Sequence, residues 1–237
     1  MRVFAIGDPH LSLFQQKPMD IFGPDWAAHD ERLAAAWRDS VAENDVVIVA
    51  GDISWALKTA DALMDLAWIE ALPGRKILVR GNHDLWWQGV TRLNALYEDM
   101  FFLQNNHLMI DPQKKLAVCG SRGWALPGLD DYTAADGKIL ARELIRLKFS
   151  LDSAMAAGAE EILCAMHFPP AACPQNKSVF TDLLGQYPVK QAVYGHLHGA
   201  AAFRKGISGE HDGILYRLVS FDFVDGKPQL IYNGEKG

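Results

Sequence analysis

Lys76-Ile77-Leu78-Val79, followed at once by Arg80-Gly81-Asn82-His83-Asp84, is the stretch on which the reading of the fold turns. Its first half reads as a fully buried strand, and its second half is a polar cluster at the strand's C-terminal end, where open α/β sheets place their chemistry. Gly81 lacks a Cβ and suits a tight turn that swings Asn82 and His83 out of the sheet plane. Hydrogen-bonding side chains in a row are costly to bury unless something specific satisfies them, and metal and phosphate are the groups that would.

Working outward, the same arrangement recurs. Val3–Ile6 is an apolar run that leads through Gly7 into Asp8-Pro9-His10, and Val46–Ala50 is a β-branched run that leads into Gly51-Asp52. Between them Leu33, Trp37 and Val41 repeat every four residues, one face of a helix over Asp30–Ala42. A second helical pattern, Ala62, Leu63, Leu66, Ile69 and Leu72, stops at Pro73-Gly74. Strand, helix, strand, helix, strand is a βαβαβ unit, so the strands should be parallel with helices on the sheet faces.

Past Asp84, the adjacent Trp86 and Trp87 do not easily share one core, which leaves one to line a pocket. A short helical pattern (Val90, Leu93, Leu96) precedes strand-like pieces at 101–103, 107–110 and 116–120, with Asp111-Pro112 marking a hairpin region. Residues 138–157 give the clearest helix, with Leu140, Leu144, Leu147, Leu151 and Met155 on one stripe and Arg142, Glu143, Arg146 and Lys148 largely off it. Strand 161–166 delivers His167, a brief helix follows near 179–184, and strand 190–194 delivers Gly195-His196-Leu197-His198. Strand-like alternation then runs through 214–223 and 229–232. Two long irregular stretches remain: 11–28, which either covers the site or is a surface loop pinned by its aromatics, and 121–137, with Arg122, Trp124, three glycines and three aspartates.

The bulk numbers bound the function. With 237 residues, 49% hydrophobic and 22% charged, the chain is of globular composition, and it is expected to form a single domain over 1–237. A net charge of −6 argues against broad binding to nucleic acid or an anionic membrane. Cys119, Cys164 and Cys173 have no CxxC spacing, so they read as reduced core or loop residues. The N-terminal apolar run stops at Asp8, unlike a signal peptide, and no window approaches the roughly 20 apolar residues of a membrane span. The simplest expectation is a cytoplasmic protein.

The strand-end constellation is Asp8 and His10, Asp52, Asn82 with His83 and Asp84, His167, and His196 with His198. It takes five of the eight histidines and leaves His29, His107 and His211 as surface or structural residues. Two carboxylates, one amide oxygen and four imidazoles make seven ligands, too many for one tetrahedral ion. They suit two ions sharing a carboxylate, and the mixed nitrogen and oxygen donors favour manganese, iron, zinc, cobalt or nickel. Two such ions about 3.5–4 Å apart activate a bridging water and stabilise the attacking and leaving oxygens of a phosphoryl transfer.

In full and in order, the series Asp8-x-His10, Gly51-Asp52, Gly81-Asn82-His83-Asp84, His167 and Gly195-His196-x-His198 resembles the calcineurin-like metallophosphoesterases. The resemblance implies a four-layer α/β/β/α sandwich of two mixed sheets between helices. It implies one divalent or mixed-valence metal held by Asp8, His10 and His198, a second by Asn82, His167 and His196, and Asp52 between them. It makes His83 the residue that contacts the phosphate and stabilises or protonates the leaving oxygen, with Asp84 orienting His83.

The protein serine/threonine phosphatases of that family carry Asp-Arg-Gly after their Gly-Asp; here Ile53-Ser54-Trp55 follows, so that activity is not expected. The short motifs look closer to the bacterial phosphodiesterase-like branch, with a small phosphodiester or phosphomonoester as substrate. Arg122, Asn176 and Lys177 read either as loop residues or as contacts for a second phosphate or a sugar. The competing readings are a nuclease, which the acidic balance opposes, and a non-catalytic scaffold or interaction module, which would typically have lost ligands that this chain keeps.

Overall fold

Val46–Ala50 is buried along its whole length, which a strand achieves only when both faces of its sheet are covered. In the computed structural model, which describes residues 1–15, 17, 19–127 and 132–234, it lies in the middle of a five-stranded sheet. Its neighbours are β1 (Arg2–Ile6) and β3 (Arg75–Val79), so that Val46–Ala50 is β2. Both pairings are parallel, as the βαβαβ reading requires, with α1 (His29–Ser40) and α2 (Thr59–Glu70) as crossovers. After the single-turn α3 (Val90–Leu93), β4 (Met100–Leu103) adds in parallel to β3.

The second sheet has six strands. Its first two, β5 (His107–Asp111) and β6 (Leu116–Ser121), form the expected hairpin. β6 then pairs in parallel with β7 (Glu161–Met166), and β7 with β8 (Val189–Tyr194). The order is completed by β10 (Ile214–Leu218) beside β8 and β9 (Gly209–His211) at the edge. The last strand, β11 (Gln229–Asn233), returns to the first sheet antiparallel to β1. Helices α4 (Asp136–Ala156) and α5 (Val179–Leu184) connect strands of the second sheet, and a four-residue α6 (Ala200–Phe203) follows β8.

Alternation along the strands sorts the core into three layers. Val46, Ile48 and Ala50 face Val118, Leu163 and Ala165 across the gap between the sheets. Val47 and Val49 point outward to Leu33, Trp37, Leu66 and Ile69 of α1 and α2. On the far side Leu147, Leu151 and Ala154 of α4 cover Cys119 and Cys164, which are neighbours across β6 and β7. Each fully buried aliphatic side chain contributes roughly 1.5–3 kcal/mol. The result is the four-layer α/β/β/α sandwich. No helix among the described residues is long and apolar enough to cross a membrane.

Two local expectations are corrected. In α4, Met155 is 43% exposed, whereas Glu143, placed off the apolar stripe by its charge, is buried because arginines neutralise it. Trp86 and Trp87 are both buried and pack on Phe102 in the outer core; the tilt between their rings lets them share it.

Asp45 anchors the start of the first sheet. Its carboxylate accepts the backbone N–H of Arg2 at 2.8 Å and of Ala42 at 3.0 Å, and Nη2 of Arg2 at 2.5 Å. Burial alone would raise its pKa, but these donors hold it below the ordinary 3.8. Asp45→Ala is expected to cost about 2–3 kcal/mol in urea unfolding, the scale of charge-assisted bonds to a buried carboxylate. Because the folded pKa is depressed, this contribution is complete above pH 3.8 and is lost as pH falls below it. The wild type and variant should therefore converge in acid, and a constant gap down to pH 2 would contradict the assignment.

Candidate metal centre

β1, β2, β3, β7 and β8 all end at one edge of the sandwich, and the loops after them meet there. Those after β1 and β2 are zipped together by Asp8 N–H to Gly51 O (3.0 Å), His10 N–H to Asp52 O (2.9 Å) and Leu11 N–H to Ile53 O (2.9 Å). Four residues of the expected constellation are non-glycine residues at positive φ: Asp8 (56°), His10 (44°), Asp52 (49°) and His196 (73°). Such conformations cost of order 1–3 kcal/mol each and persist where surroundings over-determine them, which happens most at functional sites.

Gly81 differs from the sequence expectation. Its φ is not positive; the glycine is required by close approach, since a Cβ there would lie 2.0 Å from Asp52 Oδ1. Similarly, a Cβ on Gly195 would lie 2.5 Å from Asp8 Oδ2. Gly81→Ala is therefore expected to displace Asp52, lowering stability by about 1–3 kcal/mol and weakening metal uptake in an equilibrium dialysis measurement. Unchanged uptake would mean that Asp52 tolerates the shift.

The expected residues converge as follows. Asp52 Oδ2 is approached by three imidazoles: His167 Nε2 at 3.5 Å, His10 Nε2 at 3.8 Å and His83 Nε2 at 3.9 Å. Asp8 Oδ1 lies 3.6 Å from His167 Nδ1 and 3.8 Å from His198 Nε2. Asn82 Oδ1 is 2.7 Å from His167 Nε2. Among the described residues, ligand atoms of Asp8, His10 and His198 all lie within 4.8 Å of one another, as do those of Asp8, Asp52 and His167. The His196 ring stands 5.0 Å from that of His167 and packs against Phe168, while its backbone N–H donates to Asp8.

The hydrogen bonds fix which ring nitrogens face inward. The Nδ1–H of His167 donates to Ala50 O at 3.0 Å, so its Nε2 lone pair meets two further acceptors, Asn82 Oδ1 and Asp52 Oδ2. His198 Nδ1 is bonded to Asp222 Oδ1 at 2.9 Å, and its Nε2 is buried with no hydrogen-bond partner. His10 Nδ1 is likewise buried and unpartnered. In His167 and His198 one ring nitrogen is tied outward and the other faces carboxylate or amide oxygens, the arrangement that metal-binding imidazoles adopt. The residues present fit transition-metal ions.

Burial pushes Asp8 up to about 7 and also raises Asp52; it lowers His10 and takes His167 down to about 3. Burial works against a charged His198 too, but the bond to Asp222 and the charge of Asp8 hold it above its ordinary value.

His83 is the exposed member, its side chain 45% accessible and its backbone N–H bonded to Asp52 Oδ1 at 2.7 Å. Asp84 is placed differently from the expectation that it orients His83. Its Oδ1 accepts from Ile53 N–H, Ser54 N–H and Trp86 Nε1–H, and its Oδ2 from Gly81 N–H. It is a buried clamp joining the loops after β2 and β3; burial, then the charge of Asp52, raise it to about 7.

A cavity of about 370 Å³ opens over the cluster, walled by Met19, Trp26, Trp55, His83, His198 and Asp222. Met19 and Trp26 belong to the 11–28 stretch, so that stretch covers the site; Gln16 and Pro18 lie outside the described residues. Trp55 stacks on His10 with centroids 4.8 Å apart. Gly128, Leu129, Asp130 and Asp131 of the 121–137 stretch also lie outside the described residues. His29, buried, has its Nε2 3.3 Å from His10 O. His107 bonds to Ser153 Oγ and His211 to Ser208 O, away from the site. Lys177 is a solvated loop residue paired with Asp182 at 3.8 Å, whereas Arg122 is not solvated.

Over residues 1–200 the sequence matches the pattern of the calcineurin-like phosphoesterases. The chain belongs to that family. This calcineurin-like phosphoesterase is 42% identical over 78 residues to the Gene 66 protein of Mycobacterium phage D29, covering 31% of the chain and 39% of the phage protein. Its counterpart in Mycobacterium phage L5 is 46% identical over 56 residues, covering 24% of the chain and 27% of that protein. The chain thus spans well under half the length of these curated relatives. Among solved structures, a protein of unknown function from Aquifex aeolicus matches at TM-score 0.52 and 15% identity, with 96% of this chain and 94% of that one covered. Phosphopantetheinyl hydrolase from Mycobacterium tuberculosis matches at TM-score 0.51 and 17% identity, with coverage of 100% and 98%. At these identities the likeness is one of fold.

Proposed function

We propose that this calcineurin-like phosphoesterase hydrolyses a small phosphodiester or phosphomonoester with the help of two transition-metal ions. The observation that carries the reading is the inward-facing set of unpartnered or mutually facing ligand atoms around Asp8 and Asp52, which a pair of cations would satisfy. Asp8, His10 and His198 would hold one ion and Asn82, His167 and His196 the other, with Asp52 between. Bound there, the ions would supply Lewis acidity, a water of lowered pKa and a clamp on the attacking and leaving oxygens.

The chain's own groups supply the rest. His83, at the rim of the cavity, is free to donate to a phosphoryl oxygen and to protonate the leaving oxygen. The Asp222 carboxylate behind His198 and the Ala50 carbonyl behind His167 hold those rings in the orientation and tautomer that the site requires. Asp84 keeps the loop carrying His83 in register with the loop carrying Asp52. Trp26, Trp55 and Met19 give the cavity an apolar wall. A phosphopantetheinyl hydrolase sharing the fold is compatible with a small phosphorylated substrate.

The test is turnover of bis(p-nitrophenyl) phosphate beside p-nitrophenyl phosphate, by protein stripped with chelator and resupplied with manganese. Faster turnover of the diester directs the assignment to phosphodiesters, and faster turnover of the monoester to a phosphatase. Two bound metals with no hydrolysis of any phosphoester offered would overturn the reading.

A further inference from the structure

At the edge that carries the metal ligands, β6 is the strand end next to β7, and it delivers Arg122 where its neighbour delivers His167. The two are joined through the backbone, since Arg122 O accepts the N–H groups of His167 and Phe168. From the facing sheet β3 delivers Arg80, two residues before Asn82. Arg122 pairs with Glu143 of α4, as do Arg142 and Arg146 of the same helix, and Arg80 feels the charge of that carboxylate.

Among the described residues, the arginines of this cluster outnumber the carboxylates that they pair with. Arg122, Arg146 and Arg142 all approach the same oxygen, Glu143 Oε1, at 3.1, 2.8 and 3.8 Å. Each guanidinium has five N–H donors, and three of these arginines share the one acceptor atom Glu143 Oε1. Arg122 has a side chain only 10% exposed, yet its Nε has no hydrogen-bond partner; the Nε of Arg80 is buried and unpartnered as well. The remaining carboxylate near Arg80, that of Asp84, is occupied by three backbone N–H groups and the Trp86 indole. All this lies in a chain whose overall charge is −6.

We infer that Arg80, Arg122 and Arg146 form an anion subsite beside the metal centre, which receives a second phosphoryl group of the substrate. Forked guanidinium donors match phosphate oxygens in geometry and charge. The inference rests on the phosphoester hydrolase reading and narrows it: the preferred substrate carries two phosphoryl groups, one hydrolysed at the metals and one held by the arginines. Arg122 also stacks on Trp124, with its guanidinium carbon 4.3 Å from the ring centroid, which fixes the plane of the fork before anything binds.

The subsite can be tested without metal chemistry. Chelator-stripped protein titrated with inorganic pyrophosphate in a calorimeter should show one saturable site. Arg80→Met and Arg146→Met should each weaken it about tenfold, the scale of a lost charge-assisted bond. His83→Ala should leave it unaltered. Arg146 is partly exposed, so its variant probes the subsite even if Arg80→Met fails to fold. In the metal-loaded enzyme, the kcat/KM ratio for an ester with a second phosphoryl group over p-nitrophenyl phosphate should fall in Arg146→Met by about the same factor. No pyrophosphate binding by the stripped wild type, or binding indifferent to both substitutions, would overturn the subsite. Failure of metal-dependent hydrolysis with pyrophosphate binding intact would instead count against the hydrolase reading.

Discussion

Asp52→Asn is expected to lower kcat/KM by at least about 10³ and to reduce bound metal to one ion or fewer per chain. Among the described residues, Asp52 is the one group whose oxygen is approached by imidazoles from three different strand ends, those after β1, β3 and β7. On the proposed two-metal mechanism, taking away its charge removes several kcal/mol of electrostatic stabilisation, and each 1.36 kcal/mol is about a factor of ten. The amide is isosteric and its oxygen can still accept the His83 N–H, so the fold should survive. Elemental analysis and steady-state kinetics on the same preparation check both halves. Full metal content with wild-type turnover would remove Asp52 from its central role.

His83→Ala should separate chemistry from binding. The side chain is exposed at the rim, so thermal unfolding should shift by no more than about 0.5 kcal/mol and both metals should stay. The turnover number should fall by roughly 10²–10⁴, the range for a general acid or an oxygen-stabilising donor. The loss should be larger for an alkyl ester than for a p-nitrophenyl ester, whose leaving group needs no proton. Metal loss in this variant would show that His83 is a ligand. An equal loss for both esters would assign it to phosphate contact alone.

Much of this was legible in the sequence because five apolar runs each abut a polar cluster with no intervening linker. Val46–Ala50 before Gly51-Asp52 shows why: a β-branched run of that length is a buried strand, and its end is a fixed point in space. Asp222 was not legible. It lies within a stretch that alternates to residue 223, whereas the strand ends at Leu218 and the chain turns back over His198. The available signal was a carboxylate just past a strand that ends on the same edge.

Glu143 was misplaced for a different reason. Helical periodicity places a charge on the wet face unless its partners are known, and Arg122 lies 21 residues away in sequence. For Asp84 the sequence carried the residue but not its bonds, because a carboxylate after a histidine can serve either the imidazole or the backbone. In the sequence Gly81 reads as a turn glycine, although close approach to Asp52 is what requires it; only the packed structure carries that distance.

The central claim is that the strand-end cluster holds two metal ions that act together on a phosphoester. Its most direct test is a titration of chelator-stripped protein with manganese, following bis(p-nitrophenyl) phosphate and p-nitrophenyl phosphate hydrolysis against metal equivalents. The account predicts no turnover at zero metal and a rise that reaches its plateau at two equivalents per chain. Turnover that is undiminished in the stripped protein, or that is complete at one equivalent, would contradict it.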